Sequence, residues 1–346
     1  MKFDTITYMK ILAIETSCDE TALALLSLDK EARNFKVLDH ILYSQINEHS
    51  QYGGVVPALA ARLHNKKLPV MLQEFINRNG RDIDAVAVTV GPGLEPSLYV
   101  GVNLAKLLAE ILGVPLIPVN HMHGHMFSGL LDENLVGTVP TEYPFIAYTI
   151  SGGHTELVLV KAYNDYEIIG ITQDDAAGEA FDKVAKMLNL AYPGGPKVSK
   201  LADTGDSEAI QFPRPMINSG DGKMSFSGLK TAVLYYIKDN PPQNEEDMSN
   251  ICASFEQAVI DLLVSKLNWA VNTYNIRQIV IGGGVTANLK LRQAFEDYAH
   301  KNQVELLVPN KILSTDNAIM IGVVACLDII HNIQNRSQEV NGNLEI

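Results

Sequence analysis

Two imidazoles four residues apart, His121 and His125 in the pentad His121-Met122-His123-Gly124-His125, are the side chains of this chain best placed by type and spacing to do chemistry. On a helix, positions i and i+4 lie on one face a single turn apart, so a helical segment here makes a two-point metal clamp. Imidazole suits zinc, iron, copper or nickel. In the zinc-peptidase pattern H-E-x-x-H a Glu directly after the first His is the general base. Met122 stands in that place, so the clamp carries no built-in base for peptide hydrolysis. His123 points away from the other two on a helix and is left out of the clamp. Two histidines at this spacing can equally be satisfied core or surface residues, so the reading turns on a third ligand. Asp316, in Ser314-Thr315-Asp316-Asn317-Ala318 ahead of the apolar run IMIGVVACLDII, is the candidate. Ser314, Thr315 and Asp316 are also all good helix N-caps, and a loop carboxylate at a helix start can serve both ends. Two His and one carboxylate leave coordination positions open for a substrate.

Glycine turns are the second chemical feature. Ser151-Gly152-Gly153-His154-Thr155 reads as a turn between strands, and Gly282-Gly283-Gly284-Val285-Thr286-Ala287-Asn288 as a link from strand to helix. Gly91 and Gly93 form a similar turn earlier. Such turns let backbone N–H groups approach an anion. None is a G-x-G-x-x-G with a distal ribose acid or a G-x-x-x-x-G-K-[ST] loop, so neither a Rossmann nor a P-loop site is supported. Singly each is an ordinary tight turn; three of them after strands favour a bound nucleotide. In the acidic run QDDAAGEAFDKVAKMLNL, Asp174 and Asp175 read as N-cap and first-turn residues of a helix. Asp182 lies mid-helix with no cap role, and either accepts ribose hydroxyl hydrogen bonds or sits on a solvated face. Arg62, His64, Lys66 and Lys67 form a basic cluster that suits phosphate contact and equally suits an exposed helix face.

These residues need elements to hold them, and the chain repeats its elements. KILAIETSCDETALALLSL (10–28) reads as strand, small polar turn, strand, and FIAYTISGGHTELVLVK (145–161) repeats the plan. Each is followed later by a strand, a glycine turn and a helix: DAVAVTVGPGLEPSLYVGVNLAKLLAEIL and then QIVIGGGVTANLKLRQAFEDYA. Strands alternating with helical patterns imply parallel α/β units, and the duplication implies two similar lobes with a cleft between them. The expected division is an N-terminal lobe over 9–135, a C-terminal lobe over 136–330 with a helical insertion around 172–250, and a polar, loose tail over 331–346. Residues 1–8 carry no pattern.

Length and composition set outer limits. At 346 residues the chain can hold two cores of ordinary size. A formal net charge of −13 argues against a generally cationic nucleic-acid binder, while leaving room for a local basic patch or a basic partner. Cys18, Cys252 and Cys326 lie far apart with no C-x-x-C pair, which fits a reducing cytoplasm better than a disulfide scaffold. No basic-then-apolar leader pattern opens the chain. The most apolar stretch, 99–119, is broken by Asn103, Lys106 and Glu110 and reads as a buried helix, not a membrane span.

The segments IETSCDET, GPGLEPSLYVG, VNHMHGH, SGGHTEL, DDAAGEAFDKVAK, YPGGP, FSGLKTA, GGGVTAN and STDNA occur in the order expected of the tRNA N6-adenosine threonylcarbamoyltransferases, once named O-sialoglycoprotein endopeptidases, and the chain resembles the bacterial type of that family from about residue 9 to about 330. The resemblance implies the actin/Hsp70/sugar-kinase (ASKHA) superfold with its active site in the cleft. It implies transfer of a threonylcarbamoyl group from L-threonylcarbamoyl-AMP to N6 of the adenosine immediately 3′ of the anticodon in tRNAs reading codons that start with A, with release of AMP. His121, His125 and Asp316 would hold one divalent metal, Fe(II) or alternatively Zn(II). Thr149, Ile150, Ser151, Gly152 and Gly153 would hold the donor, Asp182 its ribose, and Gly195 and Asn288 would lie beside the nucleotide. The implied partners are tRNA, a shorter inactive paralogue and a small ATPase subunit, with no membrane.

Three other readings compete. A kinase or ATPase of the same superfold would account for the glycine turns but would normally hold Mg²⁺ on carboxylates and water rather than on histidines. A metallopeptidase would account for the histidines but lacks the base at Met122. A non-catalytic scaffold of the tRNA-modification complex would have no need of the two histidines.

Overall fold

From Ile11 to Glu15 every residue of the first strand is buried, the pattern of a strand covered on both faces. The structure, a computed structural model, describes residues 8–140, 142–310, 313–334 and 336–346. Its first elements are β1 (Tyr8–Glu15), β2 (Glu20–Asp29), β3 (Asn34–Ser44), α1 (Ile46–Ser50), α2 (Pro57–Asn79), β4 (Ala85–Gly91), α3 (Glu95–Leu112), β5 (Leu116–Asn120), α4 (His121–Phe127) and β6 (Val136–Thr138). There follow β7 (Phe145–Ile150), β8 (Thr155–Ala162), β9 (Asp165–Ile171), α5 (Ala177–Met187), α6 (Gly195–Ala202), α7 (Ser227–Asp239) and α8 (Glu245–Tyr274). The last are β10 (Gln278–Gly282), α9 (Leu289–Asn302), β11 (Glu305–Leu307) and α10 (Ala318–Ile330).

The duplication is explicit in the sheets. One has the order β5-β4-β1-β2-β3-β6 and the other β11-β10-β7-β8-β9. In each, an antiparallel hairpin (β1 with β2, β7 with β8) carries a parallel neighbour reached by a crossover (β4, β10). Two compact units result, one made of Met1–Thr141 with Pro309–Ile346 and the other of Glu142–Val308.

In the first unit, Leu12, Ile14, Leu23, Leu25, Val86 and Val88 face α2 and α3. The opposite face carries Ala13 paired with Ala24 and Ala87, and those short side chains let α10 lie close. α10 is buried from Ala318 to Ile329. Its position differs from expectation: α10 belongs to the first unit, where it packs across β1 to β5. An apolar helix has no local mark of which sheet it will cover, so the pattern alone could not assign it.

The tail also differs. Expected to be loose, it is docked: Arg336 pairs with buried Asp328 at 2.8 Å, the Asn341 N–H donates to Val90 O, and the Gly93 N–H donates to Gly342 O. Val340 and Leu344 pack against the α2/α3 core. Backbone pairing is blind to side-chain polarity, which is why a polar composition concealed it. The Gly91–Gly93 turn therefore has the Gly93 N–H engaged by the chain's own tail.

In the second unit Ile146, Tyr148, Ile150, Leu157 and Leu159 line one face of the sheet and meet Phe181, Phe255, Leu263 and Phe295. The helix expected from Asp174 begins instead at Ala177, where the Thr155 hydroxyl accepts the Ala177 N–H. Asp174 reaches across to accept the N–H groups of Phe226 and Ser227 at the start of α7, and Asp175 takes Lys183 and Lys230. Asp174 thus serves the start of α7 and not its own helix, while Asp175 ties Lys183 of α5 to Lys230 of α7. Among the described residues no helix is long and apolar enough to cross a membrane.

Gly283 joins the two halves of this lobe's core plan at φ 91°, ψ 158°, a region reserved for glycine, and a Cβ added there would stand only 2.5 Å from Ile150 O. Gly283→Ala should therefore lower the unfolding free energy by roughly 2–3 kcal/mol in urea titration. At Gly220, whose φ is 70° but which has nothing within 4 Å, the same change should cost only about 1 kcal/mol.

Candidate metal centre and glycine turn

In the first unit β5 delivers the chain into α4, and Asn120 caps that helix by accepting the Met122 N–H. Its side-chain amide also donates to Glu345 O of the docked tail. The helix forms as the spacing predicted, and His121 and His125 stand on one face with ring centroids 4.7 Å apart. Gly124 lies where a Cβ would stand 2.8 Å from Met320 Cγ, so the absence of a side chain lets α4 approach α10. That approach brings Asp316, just ahead of α10, to the histidines. Asp316 Oδ1 lies 3.1 Å from His125 Nε2 and 3.5 Å from His121 Nε2. A ligand atom from each of the three falls within 4.8 Å of the others.

The competing N-cap role for Asp316 is not used. Asn317 caps α10, accepting the Met320 N–H, and so leaves the Asp316 carboxylate for the histidines. Ser314 and Thr315 do not cap it either. His123 is buried on another side of α4, beside Arg336, and burial followed by that guanidinium pushes its imidazole down to about 3. It plays no part in the cluster.

Glu15 and Ser17 complete the centre, and neither was singled out from the sequence. The Glu15 carboxylate, at the buried end of β1, lies 3.2 Å from His121 Nδ1, as does the Ser17 hydroxyl. Thr89 donates a second hydrogen bond to Glu15. A carboxylate only accepts, so Nδ1 keeps its proton on Glu15, and Nε2, on the side of Asp316, is the nitrogen that would lose its proton to ligate a metal. This carboxylate–imidazole arrangement is the one that orients histidine ligands of metals. The available signal was an acid at the end of an apolar strand, since buried charges are rare unless partnered.

The three groups act strongly on one another's charge. Burial disfavours the charged His121 imidazole, but Asp316 and then Glu15 outweigh it and hold its pKa well above the ordinary value. Burial likewise pushes the Asp316 carboxyl up, and His121, then His125, overcome it and hold it well below the carboxylate range. Two imidazoles and a carboxylate of this spacing fit a divalent first-row ion bound at about 2.0–2.2 Å per ligand.

The sequence-predicted donor residues all lie in the second unit. Thr149 and Ile150 end β7; Ile150 points into the core, so only its backbone can face a ligand. Ser151 O accepts the Gly178 N–H, which seats the Ser151–Gly153 turn on the start of α5, with Gly152 and Gly153 exposed. Asp182 has a cap role after all: its Oδ1 accepts the N–H groups of Gly194 and Gly195 at the start of α6. Burial, offset in part by those N–H groups, raises its carboxyl. Gly195 therefore offers its Cα face, its N–H being engaged. Asn288 caps α9 through its oxygen and donates from its amide to Ser199 and Glu256. The basic cluster does not assemble, because His64 is buried against Thr21, Gln45 and Cys18 O, while Lys67 lies over the Tyr43 ring.

Two outcomes follow for the metal centre. Glu15→Gln should weaken metal affinity by roughly 10–100-fold, read by competition with a chromogenic chelator. Below the raised His121 pKa, metal must displace a proton, so affinity should fall by about tenfold per pH unit as pH drops and level off above it. Calorimetry in buffers of different ionisation enthalpy should show the released proton.

The family profile of tRNA N6-adenosine threonylcarbamoyltransferase (TsaD) matches residues 36–323. A protein of that name from Endomicrobium trichonymphae is 46% identical over 324 residues, 92% of each chain. Its namesake from Geotalea uraniireducens is 44% identical over 329 residues, covering 94% of this chain and 93% of the relative. Among solved structures, HypF of T. kodakarensis superposes with a TM-score of 0.60 at 14% identity, over 95% of this chain and 48% of HypF. A full-length HypF in a phosphate- and nucleotide-bound form gives 0.62 at 16%, over 96% and 47%. The chain spans about half the length of those two structures, and at such identities the likeness concerns the fold alone. That fold is α/β, with two similar lobes of the actin/Hsp70/sugar-kinase superfold.

Proposed function

This chain belongs to the tRNA N6-adenosine threonylcarbamoyltransferase family, and from that premise we propose that it transfers the threonylcarbamoyl group of L-threonylcarbamoyl-AMP to N6 of the adenosine 3′ of the anticodon in tRNAs reading codons that start with A. The observation that carries the reading is the meeting of His121, His125 and Asp316, in which His125 and Asp316 are 191 residues apart in sequence. A scaffold needs no such convergence, and a kinase would hold its metal on carboxylates and water.

The donor is a mixed anhydride, already activated, so the protein need supply no covalent nucleophile. N6 attacks the carbamoyl carbon, the bond from that carbon to the phosphate oxygen breaks, and AMP leaves. The N6 proton passes to the donor's own carboxylate or to the departing phosphate. A divalent ion, Fe(II) or else Zn(II), held by His121, His125 and Asp316 supplies Lewis acidity and open positions for oxygen ligands. Glu15 and Ser17 keep the His121 ring in register for that task. Thr149 to Gly153 position the donor through backbone and hydroxyl groups, and the orientation lowers the barrier by making the encounter effectively unimolecular. Asp182 uses Oδ1 to cap α6, which leaves Oδ2 for a ribose hydroxyl; Gly195 and Asn288 shape the nucleotide end. With a net charge of −13, the grip on tRNA phosphates comes largely from partners, a shorter inactive paralogue and a small ATPase, in the cytoplasm.

Labelled threonine, the donor-forming enzyme, tRNA and the partner proteins give the direct assay. Wild type should label tRNA and His121→Ala/His125→Ala should label it at least 100-fold less. Equal labelling by both proteins would keep the reaction and remove the metal from it. Phosphoryl transfer that survives loss of both histidines would favour the kinase reading.

A further inference from the structure

One buried carboxyl in the second unit, that of Glu156, has no role in the site as built above, and it stands beside the Thr149 hydroxyl. Thr149, on β7, and Glu156, on β8, are direct cross-strand partners, one rung below the Ile150–Thr155 pair that closes the Ser151–Gly153 turn. Opposed residues of neighbouring strands project to the same face with Cβ atoms about 5 Å apart. Here that face is the one turned away from Tyr148, Leu157 and the helices packed on them. Thr149 is fully buried and Glu156 is 8% exposed, yet among the described residues Thr149 Oγ1 and Glu156 Oε2 each meet no hydrogen-bonding group.

Several other buried polar groups of the lobe are paired. Buried Thr155 accepts the Ala177 N–H, Ser254 accepts the Ile210 N–H, and Lys266 places its ammonium on Met216 O, Ser219 and Asp221 O. The Oε2 of Glu256, also without a hydrogen bond among the described residues, lies 3.4 Å from the Lys290 ammonium. A buried polar group left without a partner costs about 1–3 kcal/mol, and folds that retain such groups commonly do so for a ligand. Two of them share one rung and one face of the sheet, next to a turn of two exposed glycines.

We propose that Glu156, together with Thr149, contacts the acyl end of the bound donor, the two side chains taking a hydrogen-bonding hydroxyl or carbamate N–H of its threonylcarbamoyl group. This rests on the transferase reading and adds Glu156 to it. Burial alone raises the Glu156 carboxyl, which favours the neutral form and lessens repulsion with the donor's own carboxylate and phosphate. A neutral carboxyl both donates and accepts, as a glutamine amide does in the same place. An apolar residue of similar volume does neither.

The test uses the full-length, metal-loaded protein with a non-hydrolysable analogue of the donor. In calorimetric titration Glu156→Leu should weaken analogue binding by more than about tenfold, while Glu156→Gln stays within about threefold of wild type. Thermal melting adds a readout that a structural role would move the other way. Removing an unsatisfied buried carboxyl should leave the Tm of Glu156→Leu unchanged or raise it, and metal content and the KM for tRNA should not change. Thr149→Val, isosteric, should repeat the loss of analogue affinity without loss of Tm. Wild-type analogue affinity in Glu156→Leu, or a lowered Tm with unchanged affinity per folded molecule, would overturn the inference and assign the pair to structure. Absence of analogue binding by the wild type would instead remove the transferase reading on which the inference stands.

Discussion

The carboxylate of Asp316, itself only partly buried, lies within 3.5 Å of two buried imidazole nitrogens, and much of the first unit is arranged to hold it there. Charged groups are not left in such places without partners, because the desolvation they suffer must be offset by opposite charge and hydrogen bonds. Glu15 and Ser17 supply those for His121 from the β1 end, and Thr89 in turn steadies Glu15. The alanine rows of β1, β2 and β4 let α10 close on the sheet, and Gly124 lets α4 close on α10. Each of these packing features acts on where three ligand atoms fall.

The second unit repeats the sheet plan and uses it differently. Among its described residues there is no cluster of imidazoles and carboxylates; its polar groups surround a glycine turn, and most of them also hold helices in place. Asp182 binds the start of α6, and Asn288 binds the start of α9 while tying it to Ser199 and Glu256. A side chain with two acceptor atoms can cap with one and meet a ligand with the other, so a structural role does not exhaust it. Such double use keeps ligand-facing atoms rigid, because the helix ends they satisfy would be left with bare N–H groups if they moved. Thr149 Oγ1 and Glu156 Oε2 differ in having no hydrogen-bond partner among the described residues.

The docked tail adds a constraint within the first unit. Its backbone engages Val90, Gly93 and the amide of Asn120, the residue that caps the histidine helix. Arg336 and Asp328 fasten the segment where it leaves α10. The start of α4 is thus held from both sides, by its own cap and by the chain terminus.

Much of this was legible in the residues alone. Apolar alternation and the repeated strand–turn–strand plan marked the duplicated α/β sheets, because strand and helix periods are local properties of the chain. The spacing of His121 and His125 placed them on one helical face for the same reason, and the ordered motifs named the family. What the sequence could not settle were matters decided by distant groups. Asp316 was freed because Asn317 took the cap; Asp174 served α7 in place of its own helix; Asp182 capped α6 from α5. α10 joined the first unit, and the polar tail docked through its backbone. Spacing reports which residues share a face, but hydrogen-bond donors and acceptors pair by proximity in three dimensions, and only the packed tertiary structure decides which of several competent side chains satisfies each one.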